Sequence, residues 1–398
     1  MTERSDTRSG DHLSKPELLM PPPGTPSRWA GPLRELERWE WRAGDPADPV
    51  EGVTSFLSFH ALSGEPATQT GTTAVVLFAG AAGAAGAAGL GGLSLGRRSP
   101  VPAVPDLVAV ACRPLAGGSA LQRGVSASGP RGVGPWRTTW TDDEHAAAVE
   151  TVRQAIARGE LYQANVVGHR AAPHRRDPRE LARLVSGLPG ATYAGVLTGD
   201  GWAVGCASPE QLLQLVDGRL TTIPIKGTLP VRPGSHARLL SSEKDRAEHV
   251  MIVDLERNDL SRVAEIGTVD VERLFHLVDW SGLWQATSTV AARLGPGVTT
   301  IDVLRALLPG GSVTGAPKRA AWERLAALEP VGRGPSMGAL GLIWPGGLDL
   351  GLTIRTIAAV DESVHLWAGG GITWSSDPLD EVAEAHAKAS PVMAALAR

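Results

Sequence analysis

Along the chain, the spacing of apolar and polar positions changes near residue 140. Thr141 is followed by Asp142, Asp143 and Glu144, the acidic first turn of a helix. Ala147, Val149, Val152, Ile156 and Ala157 then form an imperfect helical stripe that stops at Gly159. Short alternating runs come next and predict strands, and helical patterns return near 242–263, 316–328 and 378–397. Strands and helices mix without regular alternation, which argues against a doubly wound parallel sheet and predicts an α+β fold. Upstream the text is less patterned. Residues 1–26 are polar and then proline-rich, and read as a disordered tail; 27–140 read as a divergent N-terminal part packing on the region from 141 to 398.

One uncharged stretch, Ala74 to Gly96, is long enough to raise the question of a membrane span. It is mostly alanine and glycine, with too few large apolar side chains to favour lipid, so a strand at Val75 to Phe78 running into a flexible loop is expected. Composition narrows the class further. Hydrophobic residues at 42% allow a buried core, and a net charge of -4 gives no nucleic-acid footprint. Two cysteines exclude a disulfide scaffold and a Cys-built zinc site. The polar opening MTERSDTRSG is not a secretory signal, so a soluble, cytoplasmic protein without membrane or nucleic-acid partners is expected.

Four segments carry residues suited to chemistry. The runs 211–216 and 219–225 flank Asp217-Gly218, a strong hairpin signal. A three-residue turn would place Glu210 opposite Lys226; a two-residue turn would offset them. Such a pair is either a surface ion pair or an acid beside a nucleophilic amine, since burial lets a carboxyl keep its proton and an amine lose one. In the helix after Ser242, Glu248 shares a stripe with Met251, Ile252 and Leu255, and so needs a cation or a metal as partner. In the last helix Glu381, Glu384 and Lys388 fall on one face, which is either solvated or part of a site. Just upstream, Gly369, Gly370 and Gly371 would let backbone amides approach a ligand. Finally, Gly310 to Lys318 leads glycines and Pro317 into a helix, a natural anion-binding arrangement without the residue order of a phosphate-binding loop.

Together these segments resemble the chorismate-utilising enzymes, a family that includes anthranilate, aminodeoxychorismate, isochorismate and salicylate synthases. The resemblance runs from about Asp142 to the C-terminus, through GELYQAN (159–165), ASPEQ (207–211), PIKGT (224–228), EKDRAEHVMIVDLERNDLSRVAEIG (243–267), GGSVTGAPK (310–318), IRT (354–356) and AGGGI (368–372). It implies a chorismate-binding catalytic domain over 141–398, built of large antiparallel or mixed sheets with surrounding helices. PIKGT resembles the aminodeoxychorismate branch, whereas anthranilate synthases resemble PIAGT. The implied reaction replaces the C4 hydroxyl of chorismate with an amino group, with Lys226 as nucleophile and Glu210 as acid. It also implies Mg²⁺ on Glu248 and Glu384 with help from Glu381. Arg355 and Lys388 would bind substrate oxygens, with Thr314, Gly315, Ala316, Gly369, Gly370 and Gly371 completing the pocket.

Three positions depart from the family pattern: Gln285 stands where a histidine is usual, and Ser336 and Leu342 stand where tyrosines are. They leave room for a relative with another product or a weakly active paralogue. Neither Cys112 nor Cys206 lies in a glutaminase-like nucleophile turn, so the resemblance implies ammonia delivered by a separate glutamine amidotransferase subunit.

Overall fold

A computed structural model describes residues 17–18, 31–60, 74–88, 96–114, 132–280 and 283–397. Apart from 17–18, the expected tail over 1–26 lies outside these residues. Two antiparallel sheets are stacked face to face. In the first, strand Tyr193–Gly199 pairs with Trp202–Ser208, then Thr356–Val360, Ser363–Ile372 and Gln163–Pro173 follow in spatial order. The short strand Glu17–Leu18 pairs with Val196 and with residues 31–32. The second sheet runs from Gly31–Trp41 through Leu107–Pro114, Ala74–Ala79, Ala339–Trp344, Gly347–Leu352 and Gln211–Val216 to Arg219–Ile223. Beyond it lie Leu283–Arg293 and Asp270–Trp280. The N-terminal strands thus share a sheet with the C-terminal half.

The period-2 alternation of buried strands decides what fills each layer. Val204, Cys206 and Ala358 face the second sheet, meeting Leu77, Leu213 and Leu350 in one continuous core. Their neighbours Ala207, Ile357 and Ala359 face outward and meet Leu181 and Val185 of helix Pro178–Ser186 and Val392 and Leu396 of helix Pro378–Leu396. Each leucine, isoleucine or valine among them, withdrawn from water, contributes roughly 1.5–3 kcal/mol, so the layer order is set by which face of each strand is apolar.

Two local expectations are corrected, one open alternative is decided and one helix boundary moves by two residues. The alanine–glycine run after Ala79 is not a loop where it is described: Ala81–Ala87 is a helix. Alanine has the highest helix propensity, and the absent side chain at Gly83 lets the helix lie against the Asp106 carbonyl. In helix Asp142–Ala157, Thr141 and Glu144 form a capping box, but the buried stripe is His145, Ala148, Val149, Val152 and Ala155, while Ala147 and Ala157 are exposed. The hairpin turn has two residues, since Arg219 pairs with Val216 and Leu220 with Leu215, so Glu210 and Lys226 are not cross-strand partners. The helix expected from 316 begins at Lys318, after a helical turn Gly311–Thr314 and a short strand Gly315–Ala316. Among the described residues no helix is long and apolar enough to cross a membrane.

Candidate active site

The strand that leaves the hairpin is broken at Pro224. Its first half, Arg219 to Thr222, pairs with 290–293; its second half, Ile225–Pro230, pairs with 283–287 of the same partner. Between Ile225, opposite Thr287, and Thr228, opposite Gln285, the ladder carries an extra residue, and Gly227 there has φ +80. This is a bulge, which bends a strand and re-aims its side chains, and glycine takes a positive φ without steric cost. The bulge turns Lys226 into a cavity of about 580 Å³ at the edge of the sandwich. Its amine lies over Gly371, where a β-carbon would come within 3.0 Å of Nζ and 2.5 Å of Gln163 Nε2.

Glu210, at the start of strand Gln211–Val216, lines the same cavity and is only 6% exposed. The Leu352 N–H holds its backbone carbonyl at 3.1 Å. Burial raises the Glu210 carboxyl above the usual carboxylate range, opposed by Lys226, the Ser312 hydroxyl, the Ile225 N–H and Lys388. Convergence on a cavity, rather than cross-strand register, is therefore what brings the acid and the amine together.

Arg355 lies where the chain passes from strand Gly347–Leu352 of the second sheet to strand Thr356–Val360 of the first, with φ 48. A non-glycine residue in the left-handed region is strained, and such strain persists where the surrounding structure fixes it. Its guanidinium lines the cavity, and burial lowers its pKa with no carboxylate among the described residues to oppose it. A cation in a cavity wall with no carboxylate paired to it is suited to receive an anion. Arg355→Ala is expected to raise KM for an anionic substrate about 10- to 100-fold with a smaller change in kcat, the loss of one charge-assisted contact, measurable by steady-state kinetics.

The opposite rim is acidic. Glu248, Glu381, Glu384 and Lys388 all line the cavity. Glu381 is buried and accepts from Ser376 Oγ at 2.7 Å. A β-carbon at Gly370 would meet Glu381 Oε2 at 2.8 Å and Glu384 Oε1 at 3.4 Å, so both carboxylates converge on that backbone. Lys388 does not point free into the cavity: it is 2.6 Å from Glu384 Oε1 and donates to the Gly369 carbonyl at 3.0 Å. The all-oxygen donors fit a hard cation such as Mg²⁺, which takes few carboxylates and keeps water. No group of three His, Cys, Asp or Glu among the described residues is gathered closely enough to form a cage by itself.

The buried stripe of helix Glu243–Ser261 is His249, Ile252, Val253, Glu256, Asp259 and Leu260, with Glu248, Met251 and Leu255 half-buried at its margin. Of the glycine turn before Lys318, Ser312 and Val313 reach the cavity wall. Thr314, Gly315 and Ala316 do not. Thr314 Oγ1 donates to the Gly310 carbonyl at 2.9 Å, and Gly315 and Ala316 pair with Ala164 and Gln163. Gln285 lines the cavity, whereas Ser336 donates to the Thr353 carbonyl at 3.2 Å and Leu342 is core. The sequence reading missed His249, which is fully buried against Phe275 at 5.3 Å and lowered to about 4 chiefly by burial. It also missed the buried ion pair of Glu329 and Arg333, 2.7 Å apart, whose guanidinium donates to the carbonyls of Val313 and Asn165.

An α+β sandwich with a polar cavity at its edge, lined by a buried acid, an amine and an uncompensated guanidinium, defines an enzyme site for a small anionic molecule. The comparisons with known proteins narrow the class. A family model described as chorismate binding enzyme matches residues 111–394, and the chain belongs to that family. It is 37% identical over 310 residues to anthranilate synthase component 1 of Streptomyces coelicolor, covering 76% of this chain and 58% of that protein. It is also 37% identical over 265 residues to aminodeoxychorismate synthase component 1 of Klebsiella aerogenes, covering 65% and 59%. The match thus spans less than two thirds of either relative. The fold superposes on anthranilate synthase component I of Streptococcus pneumoniae with TM-score 0.74 and 23% identity over 90% of both chains. The α+β architecture with large antiparallel sheets that the sequence implies is the one observed.

Proposed function

We propose that the protein is component I of an aminodeoxychorismate synthase, which makes 4-amino-4-deoxychorismate from chorismate and ammonia for p-aminobenzoate and folate synthesis. The observation that carries this reading is the convergence of the Lys226 amine and the buried Glu210 carboxyl on the cavity that Arg355 also lines. In this reading the uncharged amine of Lys226 adds to C2 of the ring, the double bond shifts, and the C4–oxygen bond breaks. Glu210 gives its proton to the departing hydroxyl, which leaves as water, because hydroxide is a poor leaving group without an acid. Ammonia then bonds to C4, the double bond shifts back, Lys226 departs as the free amine, and the proton that the new ammonium group releases returns to Glu210. One ammonia enters and one water leaves, with no oxidant or reductant.

Chorismate is a dianion, and the reading assigns it the positive groups of the cavity. Arg355 receives carboxylate oxygens. Glu248 and Glu384, with Glu381 acting through water, would hold Mg²⁺, which would lend the positive charge that lets acidic residues face a dianion. The ammonia is read as coming from a separate glutamine amidotransferase subunit. In support, both cysteines of the chain are buried, and burial pushes the Cys112 thiol up to about 12 and the Cys206 thiol up to about 11, so neither is a thiolate nucleophile.

A second reading, anthranilate formation, is favoured by the equal identity to an anthranilate synthase component 1. Lys226 in PIKGT speaks for the first. Purified protein incubated with chorismate, Mg²⁺ and ammonium is expected to yield a product with the mass of aminodeoxychorismate that a separate lyase converts to p-aminobenzoate. Anthranilate would transfer the conclusion to the second reading, and unchanged chorismate would reject both.

A further inference from the structure

One amide in the cavity wall carries an acceptor that the proposed chemistry does not use. Asn165 stands on strand Gln163–Pro173 and lines the cavity, although it is only 6% exposed. In the ladder it lies directly opposite Gly371. Directly opposed residues of an antiparallel pair project from the same face of the sheet, with β-carbons about 5 Å apart. A β-carbon on Gly371 would come within 3.0 Å of Lys226 Nζ, so the Asn165 side chain stands beside the Lys226 amine.

Its neighbour decides which end of the amide faces the cavity. Asn165 Nδ2 is 3.8 Å from Met337 Sδ, and a thioether only accepts, so the NH₂ end points at sulfur. Met337 is itself fixed in place. Its N–H donates to the Thr353 carbonyl at 2.9 Å, and its φ of 60 is strained for a residue other than glycine. The backbone carbonyl of Asn165 is held in turn by Arg333. Asn165 Oδ1 receives no hydrogen bond among the described residues, and it is not one of the polar atoms sealed from solvent. What remains is one neutral acceptor, open to the cavity, beside Lys226.

We propose that Asn165 Oδ1 is the acceptor for the C4 substituent of chorismate, taking first the hydrogen of the hydroxyl and then an N–H of the incoming ammonia. This role rests on the reading of the cavity as a chorismate site with Lys226 at C2. With both carboxylates ionised, chorismate has one hydrogen-bond donor, the C4 hydroxyl, and its other oxygens only accept. C4 is separated from C2 by one ring carbon, so a group beside the amine is within reach of its substituent. A hydroxyl that takes up the Glu210 proton still has its own hydrogen to place, and Oδ1 receives it. A carboxamide does this without adding negative charge to a cavity that holds a dianion, where a carboxylate would add repulsion. Ammonia that donates one N–H to Oδ1 keeps its lone pair free for C4.

Binding reads the hydroxyl contact without turnover. Chorismate, and its analogue with hydrogen in place of the C4 hydroxyl, are titrated calorimetrically with Mg²⁺ present into Lys226→Ala, which forms no adduct, and into the same protein carrying Asn165→Leu. Leucine is close to asparagine in shape but accepts no hydrogen bond. Lys226→Ala is expected to bind chorismate about tenfold more tightly than the analogue, the worth of one neutral hydrogen bond. Adding Asn165→Leu is expected to erase that preference, while the analogue binds both proteins alike. In turnover, Asn165→Leu alone is expected to raise KM for ammonium about tenfold at saturating chorismate. An equal preference in both proteins overturns the proposal. So does an equal loss of both ligands, which would make Asn165 merely structural. Should Asn165→Leu not fold, Met337→Leu removes the acceptor that orients the amide and is expected to reduce the preference roughly twofold or more; an unchanged preference there overturns the proposal as well. An unchanged KM for ammonium overturns its second step. Chorismate that binds neither protein overturns the functional reading, and this role with it. Anthranilate as product would change that reading yet leave the hydroxyl contact standing, because anthranilate has lost the same oxygen.

Discussion

Lys226→Ala is expected to lower turnover of chorismate by about a thousandfold or more while leaving chorismate binding within a few fold. The size comes from what the amine supplies in the proposed reaction. A nucleophile tethered over the ring makes the first step intramolecular, and no water or free amine at the same place is held as closely or oriented as well. The tether is specific: Pro224 breaks the strand, the bulge between Ile225 and Thr228 turns the side chain, and Gly371 leaves room for the amine. Binding should persist because Arg355 and the acidic rim are separate elements of the cavity wall. Rapid-quench mass spectrometry of wild type with chorismate and without ammonia should reveal protein heavier by chorismate less one water, and the alanine variant should show none. Turnover by the alanine variant near the wild-type rate would remove Lys226 as nucleophile, and chorismate that no longer binds would make it a binding residue instead.

The same lysine shows where the sequence was legible and where it was not. That Lys226 and Glu210 belong near each other was visible from the turn Asp217-Gly218, but the reasoning by cross-strand register fails, because the turn holds two residues and Gln211 pairs with Ile223. Their convergence depends on pairing of Ile225–Pro230 with Leu283–Arg293, some sixty residues away, and no local periodicity encodes a partner at that distance. Glu381, Glu384 and Lys388 were legible as a group because one helix carries all three and spacings of three and four fix their common face. The buried acids Glu256 and Asp259 sat in plain view on the stripe of Ile252 and Val253. They were passed over because the stripe was drawn one residue too early, through Glu248, Met251 and Leu255. The described helix in the alanine–glycine run was missed for a different reason: its close approach to Asp106 is a tertiary fact, and short runs rich in glycine carry little signal of their own.

Arg333→Met is expected to destabilise the fold by about 3–5 kcal/mol, the largest loss of stability anticipated from a single change near the site. The guanidinium and Glu329 are 5% and 6% exposed and joined at 2.7 Å, so removing the cation strands a carboxylate in the interior. Arg333 also donates to the carbonyls of Val313, on the turn before Lys318, and of Asn165, on strand Gln163–Pro173. Both of those residues line the cavity, so this one side chain fastens two of its walls. Urea unfolding monitored by tryptophan fluorescence measures the loss. Adding Glu329→Met to the variant removes the stranded charge and should recover part of the stability, while the two carbonyls stay without their donor. Recovery of stability without recovery of turnover would show that Arg333 matters to the site by holding Val313 and Asn165 in place. If Arg333→Met alone unfolds within about 1 kcal/mol of wild type, the pair is not the fastening that its burial implies.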